Sequence, residues 1–279
     1  PGSRSVRIAA LPPLAGLKLP AAVRGVDGPC GDWRGRLQAD FSDPLAPAFR
    51  GAYPLACGER QWHVSVLDPS RYFAAAFAAL WRDAGGTWTG RAREATVPAD
   101  ARRIAVHESA PLAEVIRNVN KFSNNVMARQ VYLSLGAGPG GAAASAGTAE
   151  AAIRAWLESR GLAMPEMVIE NGSGLSRRER LSAAGLARLL GDAFASPLMP
   201  ELMASLPLVG IDGTMRRRSA AAGSAHIKTG LLADVRAIAG YVHAASGRRY
   251  VVVAIVNHRN ARDAQPAHDA LLQWVYDNG

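Results

Sequence analysis

Apolar and polar residues alternate along this chain in two different rhythms. Up to about residue 65 the apolar positions come in short runs, broken by Pro12-Pro13, Gly28-Pro29, Pro44, Pro47 and Pro54. Runs at 6–11, 36–41 and 62–67 predict short strands between turns, and no long helical period is present. The rhythm changes at Asp68-Pro69-Ser70, which carries the signals of a helix start. From Tyr72 to Trp81 the apolar spacing is near 3.6, and Gly85-Gly86 ends the pattern. A strand is predicted at 87–91. Pro111 opens a helix through Leu112, Val115, Ile116 and Val119. A polar interruption follows at Asn120-Lys121-Phe122-Ser123-Asn124-Asn125, after which helical character resumes to Leu135.

Further on, 136–147 reads as a mobile loop of small residues. Residues 150–160 form an amphipathic helix stopped by Gly161. Val168-Ile169-Glu170 enters a turn-rich corner, Asn171-Gly172-Ser173-Gly174. Residues 182–194 are helical, with Ser182 as N-cap. The period then drops to two. Strands are predicted at 225–228, 237–244 and 250–257, the last two joined as a hairpin through Ser246-Gly247, before a final helix at 264–276. Helices gathered ahead of an antiparallel hairpin imply an α+β domain.

Composition adds limits. With 279 residues and 49% hydrophobic positions, one or two domains with a real core are expected. No apolar stretch approaches ~18 residues, so no membrane span is expected. The chain begins at Pro1 without a basic-then-apolar leader, and so reads as processed or trimmed. Net charge is +9, which suits an anionic partner or merely reflects an arginine-rich composition. The basic residues comprise 29 Arg and three Lys: Lys18, Lys121 and Lys228. A lysine kept in so arginine-rich a chain points to a task that arginine cannot do, because lysine can lose its proton when its site lowers the pKa. The two cysteines, Cys30 and Cys57, lack metal-site spacing. They are either a disulfide, worth ~3 kcal/mol through loop closure, or two buried thiols.

Two short motifs lie at or beside two of these lysines. Ser123-Asn124-Asn125 follows Lys121, and Lys228-Thr229-Gly230 ends a predicted strand. They match the S-x-N and K-T-G elements of penicillin-binding serine enzymes and β-lactamases, in the expected order and settings. The surrounding stretches 120–128, 170–177, 212–215 and 226–230 resemble one family. It is the D-alanyl-D-alanine carboxypeptidase/endopeptidase family of the penicillin-binding protein 4 type. Pro29-Cys30-Gly31-Asp32-Trp33 and residues 53–59 look like its second domain. The resemblance covers roughly residues 25–279.

The resemblance implies a β-lactamase/transpeptidase-like α+β domain, with an antiparallel sheet and helices, preceded by part of a β-rich inserted domain. On this basis residues 1–68 are the tail of the insert, and 69–279 are the returning part of the catalytic domain. It further implies a periplasmic serine peptidase acting on peptidoglycan stem peptides, inhibited by β-lactams, with no cofactor and no metal. An oxidising compartment favours the Cys30–Cys57 bridge. The family's nucleophile lies in an S-x-x-K motif, and the sequence departs from the family there. Three positions before its lysines stand Ala15, Asn118 and Ala225. The chain therefore reads as the C-terminal part of such an enzyme, inert alone, with its own N-terminal segment as a partner. That segment would supply the nucleophile helix and part of the sheet, leaving a large apolar surface on the chain without it.

By the same resemblance Ser123 relays a proton to the leaving amine. Asn125 holds the substrate amide, and Lys228 supplies positive potential. Thr229 binds the terminal carboxylate. Gly230 and Leu231 continue the substrate-binding strand, with the Leu231 N–H as half of an oxyanion hole. The corner 171–174 reads as support, since G-x-S-x-G spacing fails there. His226 faces the cleft or solvent, and Arg216-Arg217-Arg218 reads as a solvated loop. A non-catalytic module gripping peptidoglycan or another anionic polymer is the alternative. Nucleic-acid binding has no supporting motif.

Overall fold

The computed structural model of the protein describes residues 4–138 and 143–279. Contacts divide the chain into two units, Pro1–Ala105 and Val106–Gly279. The helix that follows residue 68 lies within the first unit and is bonded to what precedes it, Ala15 N–H donating to Ala75 O at 2.9 Å.

In the first unit the short runs give short strands. β1 (Ser5–Arg7) pairs antiparallel with β2 (Ala22–Val26). Helix α1 (Trp33–Leu37) follows, and then β3 (Ala39–Asp40), β4 (Ala48–Phe49) and β5 (Ala52–Pro54). β2 pairs parallel with β5, and β3 pairs with β4. Val23, Leu37, Tyr53 and Cys57 are the buried centre, with Trp33, Phe49 and Trp62 against them. Cys30 and Cys57 are joined in a disulfide. Helix α2 (Pro69–Asp83) starts where expected, capped by the Asp68 carboxylate accepting from Arg71 N–H.

Three predicted strands need correction here. Residues 36–41 begin inside α1, because the Asp32 side chain accepts from Gly35 N–H and caps a helical turn. Residues 62–67 and 87–91 form no strand, because an apolar run becomes one only where a neighbour offers a ladder. Trp62 instead meets Trp33 edge-on, ring centroids 5.7 Å apart.

The second unit follows its periodicity closely. α3 (Leu112–Phe122) and α4 (Asn125–Leu135) flank the polar interruption. α5 (Ala146–Ser159) starts earlier than expected, because Ser145 and Thr148 form a capping box. Part of the loop expected to be mobile, 139–142, lies outside the described residues. α6 (Ala183–Phe194) is capped by Ser182 as anticipated. α7 (Met199–Ser205) was not anticipated, since its short, Pro-containing sequence carries little period.

The strands β6 (Ala225–Leu231), β7 (Val235–His243) and β8 (Arg249–Asn257) form an antiparallel sheet in the order β6-β7-β8, followed by α8 (Gln265–Asn278). Alternate side chains serve two layers. Ile227, Ile238, Val242 and Val252 pack with Leu272 and Val275 of α8. On the opposite face Tyr241 packs with Leu190 of α6 and Leu206, and Ala239 and Val253 pack against that cluster. His226 and Lys228, paired in register with Tyr241 and Ala239, point to that second face. The α+β class is thus realised as a helix–sheet–helix sandwich.

Candidate active site

The break between α3 and α4 builds the first wall of the site. Ser123 closes α3 in the left-handed conformation, φ 53° and ψ 46°. Glycine is the usual residue there, and a serine bears a cost of about 1 kcal/mol. Asn124 then caps α4 through its side chain, which accepts from Met127 N–H. This kink turns the Ser123 hydroxyl toward β6, where Lys228 Nζ donates to Ser123 Oγ at 2.7 Å. The same ammonium donates to Thr229 O at 2.9 Å. No carboxylate pairs with it among the described residues. Burial lowers the Lys228 pKa from its ordinary value.

Asn125 is the first residue of α4, and its side-chain amide donates to Ser173 O at 2.6 Å. That carbonyl belongs to the corner 171–174, which Glu179 organises by accepting from the N–H groups of Glu170, Asn171 and Gly172 at 3.2–3.4 Å. Gly172 has φ +66°, and a Cβ there would stand 2.4 Å from the Cβ of Tyr132. The corner can therefore seat against α4 only with glycine at this position. Its reading as support, and not as a nucleophile turn, fits this geometry.

The K-T-G strand lies at the sheet edge. Ile227 N–H leaves the sheet to donate to Pro207 O at 2.8 Å. With the strand period of two, Thr229 and Leu231 aim their N–H groups the same way. Beyond Ile227 that edge holds no segment among the described residues. Gly230 is exposed, and Leu231 is 56% exposed. Thr229 Oγ1 lies 3.2 Å from Thr214 Oγ1.

An ion pair between Lys121 and Asp212, residues to which the sequence reading assigns no role, holds these parts together. Lys121, on α3, donates from Nζ to Asp212 Oδ2 at 2.6 Å, to Asp212 Oδ1 at 2.9 Å and to Leu206 O at 2.7 Å. Asp212 Oδ1 also accepts from Leu208 N–H at 2.8 Å. Burial alone would raise the Asp212 pKa, but the bonds from Lys121 and Leu208 outweigh it and hold the carboxyl below its ordinary range. Gly213 follows with φ +56°, and a Cβ there would meet Lys121 O at 2.6 Å. The clamp thus sets Ser123 and Thr214 on either side of one helix end. The scarcity of lysine was the signal that could have found it. His226 is half-buried, with Nδ1 3.1 Å from Met203 O. Burial, and then the nearby His243, lowers its pKa.

Of the expected residues, the structure brings Ser123, Lys228 and Thr229 into one cluster, with Asn125 behind Ser123 and Gly230–Leu231 along the open edge. The arginine run is not uniformly solvated: Arg218 Nε donates to Asp269 at 2.7 Å, while Arg216 and Arg217 are exposed.

The model of the D-Ala-D-Ala carboxypeptidase 3 (S13) family matches residues 44–277. The D-alanyl-D-alanine carboxypeptidase of Actinomadura sp. strain R39 is 33% identical over 215 residues, covering 72% of this chain and 39% of that protein. The D-alanyl-D-alanine carboxypeptidase DacB of Haemophilus influenzae is 23% identical over 206 residues, covering 72% and 43%. The chain thus spans about two fifths of the length of these relatives. The crystal structure of penicillin binding protein 4 (dacB) from Haemophilus influenzae shares its fold, with TM-score 0.68 at 22% identity, covering 91% of this chain and 58% of that one. Sequence motifs, fold and family match agree, and the chain belongs to the D-Ala-D-Ala carboxypeptidase 3 (S13) family.

Proposed function

We propose that this chain carries the substrate-binding and proton-relay part of a periplasmic serine-type D-Ala-D-Ala carboxypeptidase/endopeptidase that acts on peptidoglycan stem peptides through an acyl-enzyme. The Lys228 Nζ to Ser123 Oγ bond of 2.7 Å is the observation that carries this reading. A serine outside this chain attacks the penultimate D-Ala carbonyl, its proton going to a base of its own S-x-x-K motif. The peptide C–N bond breaks as Ser123 Oγ passes its proton to the leaving amine and regains one from that base. Lys228 supports the transient negative charge on Ser123. Thr229 holds the terminal carboxylate. The open edge of β6 pairs with the peptide backbone by strand addition. Leu231 N–H is one donor of the oxyanion hole, and the attacking serine's N–H is the other. Water then releases the acyl group.

Three features support a complementary segment. S-x-x-K is not in this sequence. No strand pairs with the outer edge of β8 among the described residues. A groove of about 340 Å³ between α3 and α4 is lined by Leu112, Val115, Val126 and Val131, with Leu112 and Val126 66% and 72% exposed. The oxidised cysteine pair supports a periplasmic site of action.

The isolated chain is expected to be inert toward a fluorescent penicillin and to acquire labelling only in one polypeptide or complex with an S-x-x-K segment. Stable acylation of the isolated chain would refute the assignment of the nucleophile. Binding to purified cell wall that survives Lys228→Ala but disappears with added salt would instead favour the non-catalytic polymer-binding module.

A further inference from the structure

The run Arg216-Arg217-Arg218 is divided by the fold. Arg218 turns inward to Asp269, and its side chain is only 14% exposed. Arg216 and Arg217 make no ion pair among the described residues. With Phe122, Gly213 and Thr214 they line a cleft of about 400 Å³. Each neighbour ties that cleft to the site. Phe122 immediately precedes Ser123 and is 71% exposed. Thr214 faces the hydroxyl of Thr229 across 3.2 Å. Gly213 lets the backbone pass close under Lys121 O, which fixes where Thr214 and the arginines emerge. The cleft therefore opens where the carboxylate position at Thr229 ends, and it leads to two unpaired guanidinium groups.

We propose that this cleft is a subsite for a second carboxylate, carried by the residue that leaves with the amine. The proposal rests on the reading of Thr229 as the holder of the terminal carboxylate. A leaving D-alanine presents one carboxylate and a methyl group, which Thr229 and Thr214 suffice to meet. It leaves the remainder of the cleft, and both positive charges, without a partner. An acidic leaving residue fills it: its methylenes lie on the Phe122 ring, and its second carboxylate receives forked hydrogen bonds from Arg216 or Arg217. Two neighbouring guanidinium groups repel one another, and an anion between them removes that repulsion. Because both are exposed, the gain is modest and salt-sensitive.

The test uses the chain as it stands, isotope-labelled, with amide shifts followed as N-acetyl-D-Ala-D-Ala or N-acetyl-D-Ala-D-Glu is added. The two peptides differ at the leaving residue alone. The D-Glu peptide is expected to bind about fivefold more tightly. It should shift the amides of Gly213 to Arg217 in addition to that of Thr229. In the Arg216→Gln/Arg217→Gln variant the ratio of the two affinities should fall to about one. Equal affinities in the parent chain, or a D-Glu advantage that survives the double substitution, would overturn the subsite while leaving the Thr229 assignment standing. If neither peptide moves Thr229, or Thr229→Val binds the D-Ala peptide as well as the parent does, both the carboxylate assignment and the subsite fall.

Discussion

Lys228 holds a positive charge where burial disfavours it, with a hydroxyl and a carbonyl for partners and, among the described residues, no carboxylate. That arrangement leaves its field directed at Ser123 and the open strand edge. It also has a thermodynamic signature. The folded-state pKa lies below the ordinary lysine value of ~10.4, so the folded chain releases this proton before the unfolded chain does. The cost of the charge is therefore present in full below the folded pKa, and it is relieved as pH rises through that value toward the ordinary one. Lys228→Met keeps a flexible apolar stem and removes the charge. The variant is expected to be at least as stable as the parent at neutral pH, with its advantage shrinking as pH is raised. Urea unfolding of both proteins across that range measures this directly. A variant that is less stable at neutral pH would show that the two hydrogen bonds outweigh desolvation.

The end of α3 shows what an element's sequence reveals and what it conceals. The polar stretch between two apolar periods announced a break, and the break is there. The left-handed Ser123 was not legible, because serine has no preference for that conformation that would mark it in advance. The clamp beneath it was hidden for a different reason: Lys121 and Asp212 stand 91 positions apart, and only the tertiary fold joins them. Long periodic helices and the β7–β8 hairpin were readable from local pattern alone. The strands expected at 62–67 and 87–91 failed because a strand is decided by its partner. The clamp makes a prediction of its own. Lys121 is 13% exposed in its side chain, so Asp212→Asn leaves a mostly buried ammonium without its carboxylate. The expected loss is about 2 kcal/mol at neutral pH, short of the fully buried case because Asp212 is itself 42% exposed. Adding Lys121→Met should restore part of it. The Asp212 pKa is lowered, so its contribution is present above the ordinary carboxyl value of ~3.9 and is lost as pH falls through the folded one. Parent and Asp212→Asn should therefore converge in strongly acidic urea titrations. A difference that persists there would assign the loss to packing.

Across the whole molecule, the two units are stabilised by different means. The second has a three-stranded sheet with apolar clusters on both faces. The first has strands of two to five residues and a small aromatic centre, drawn wholly from residues 6–62. Strands this short, with only the five-residue α1 among them, bury little apolar surface, and small cores of this kind commonly depend on a cross-link. Cys30–Cys57 supplies it, closing a sequence separation of 27 across α1 and β5. Loop closure of that size is worth about 3 kcal/mol, most of it through the unfolded chain. Cys30→Ala/Cys57→Ala, or reduction of the parent, is therefore expected to speed amide hydrogen exchange in β2, α1 and β5. The amides of β6, β7 and β8 should keep their protection, because none of their side chains belongs to the Cys57 cluster. Unchanged exchange in β2 and β5 after verified reduction would mean that the aromatic centre suffices by itself. Equal acceleration in β6–β8 would mean that the second unit draws stability from the first.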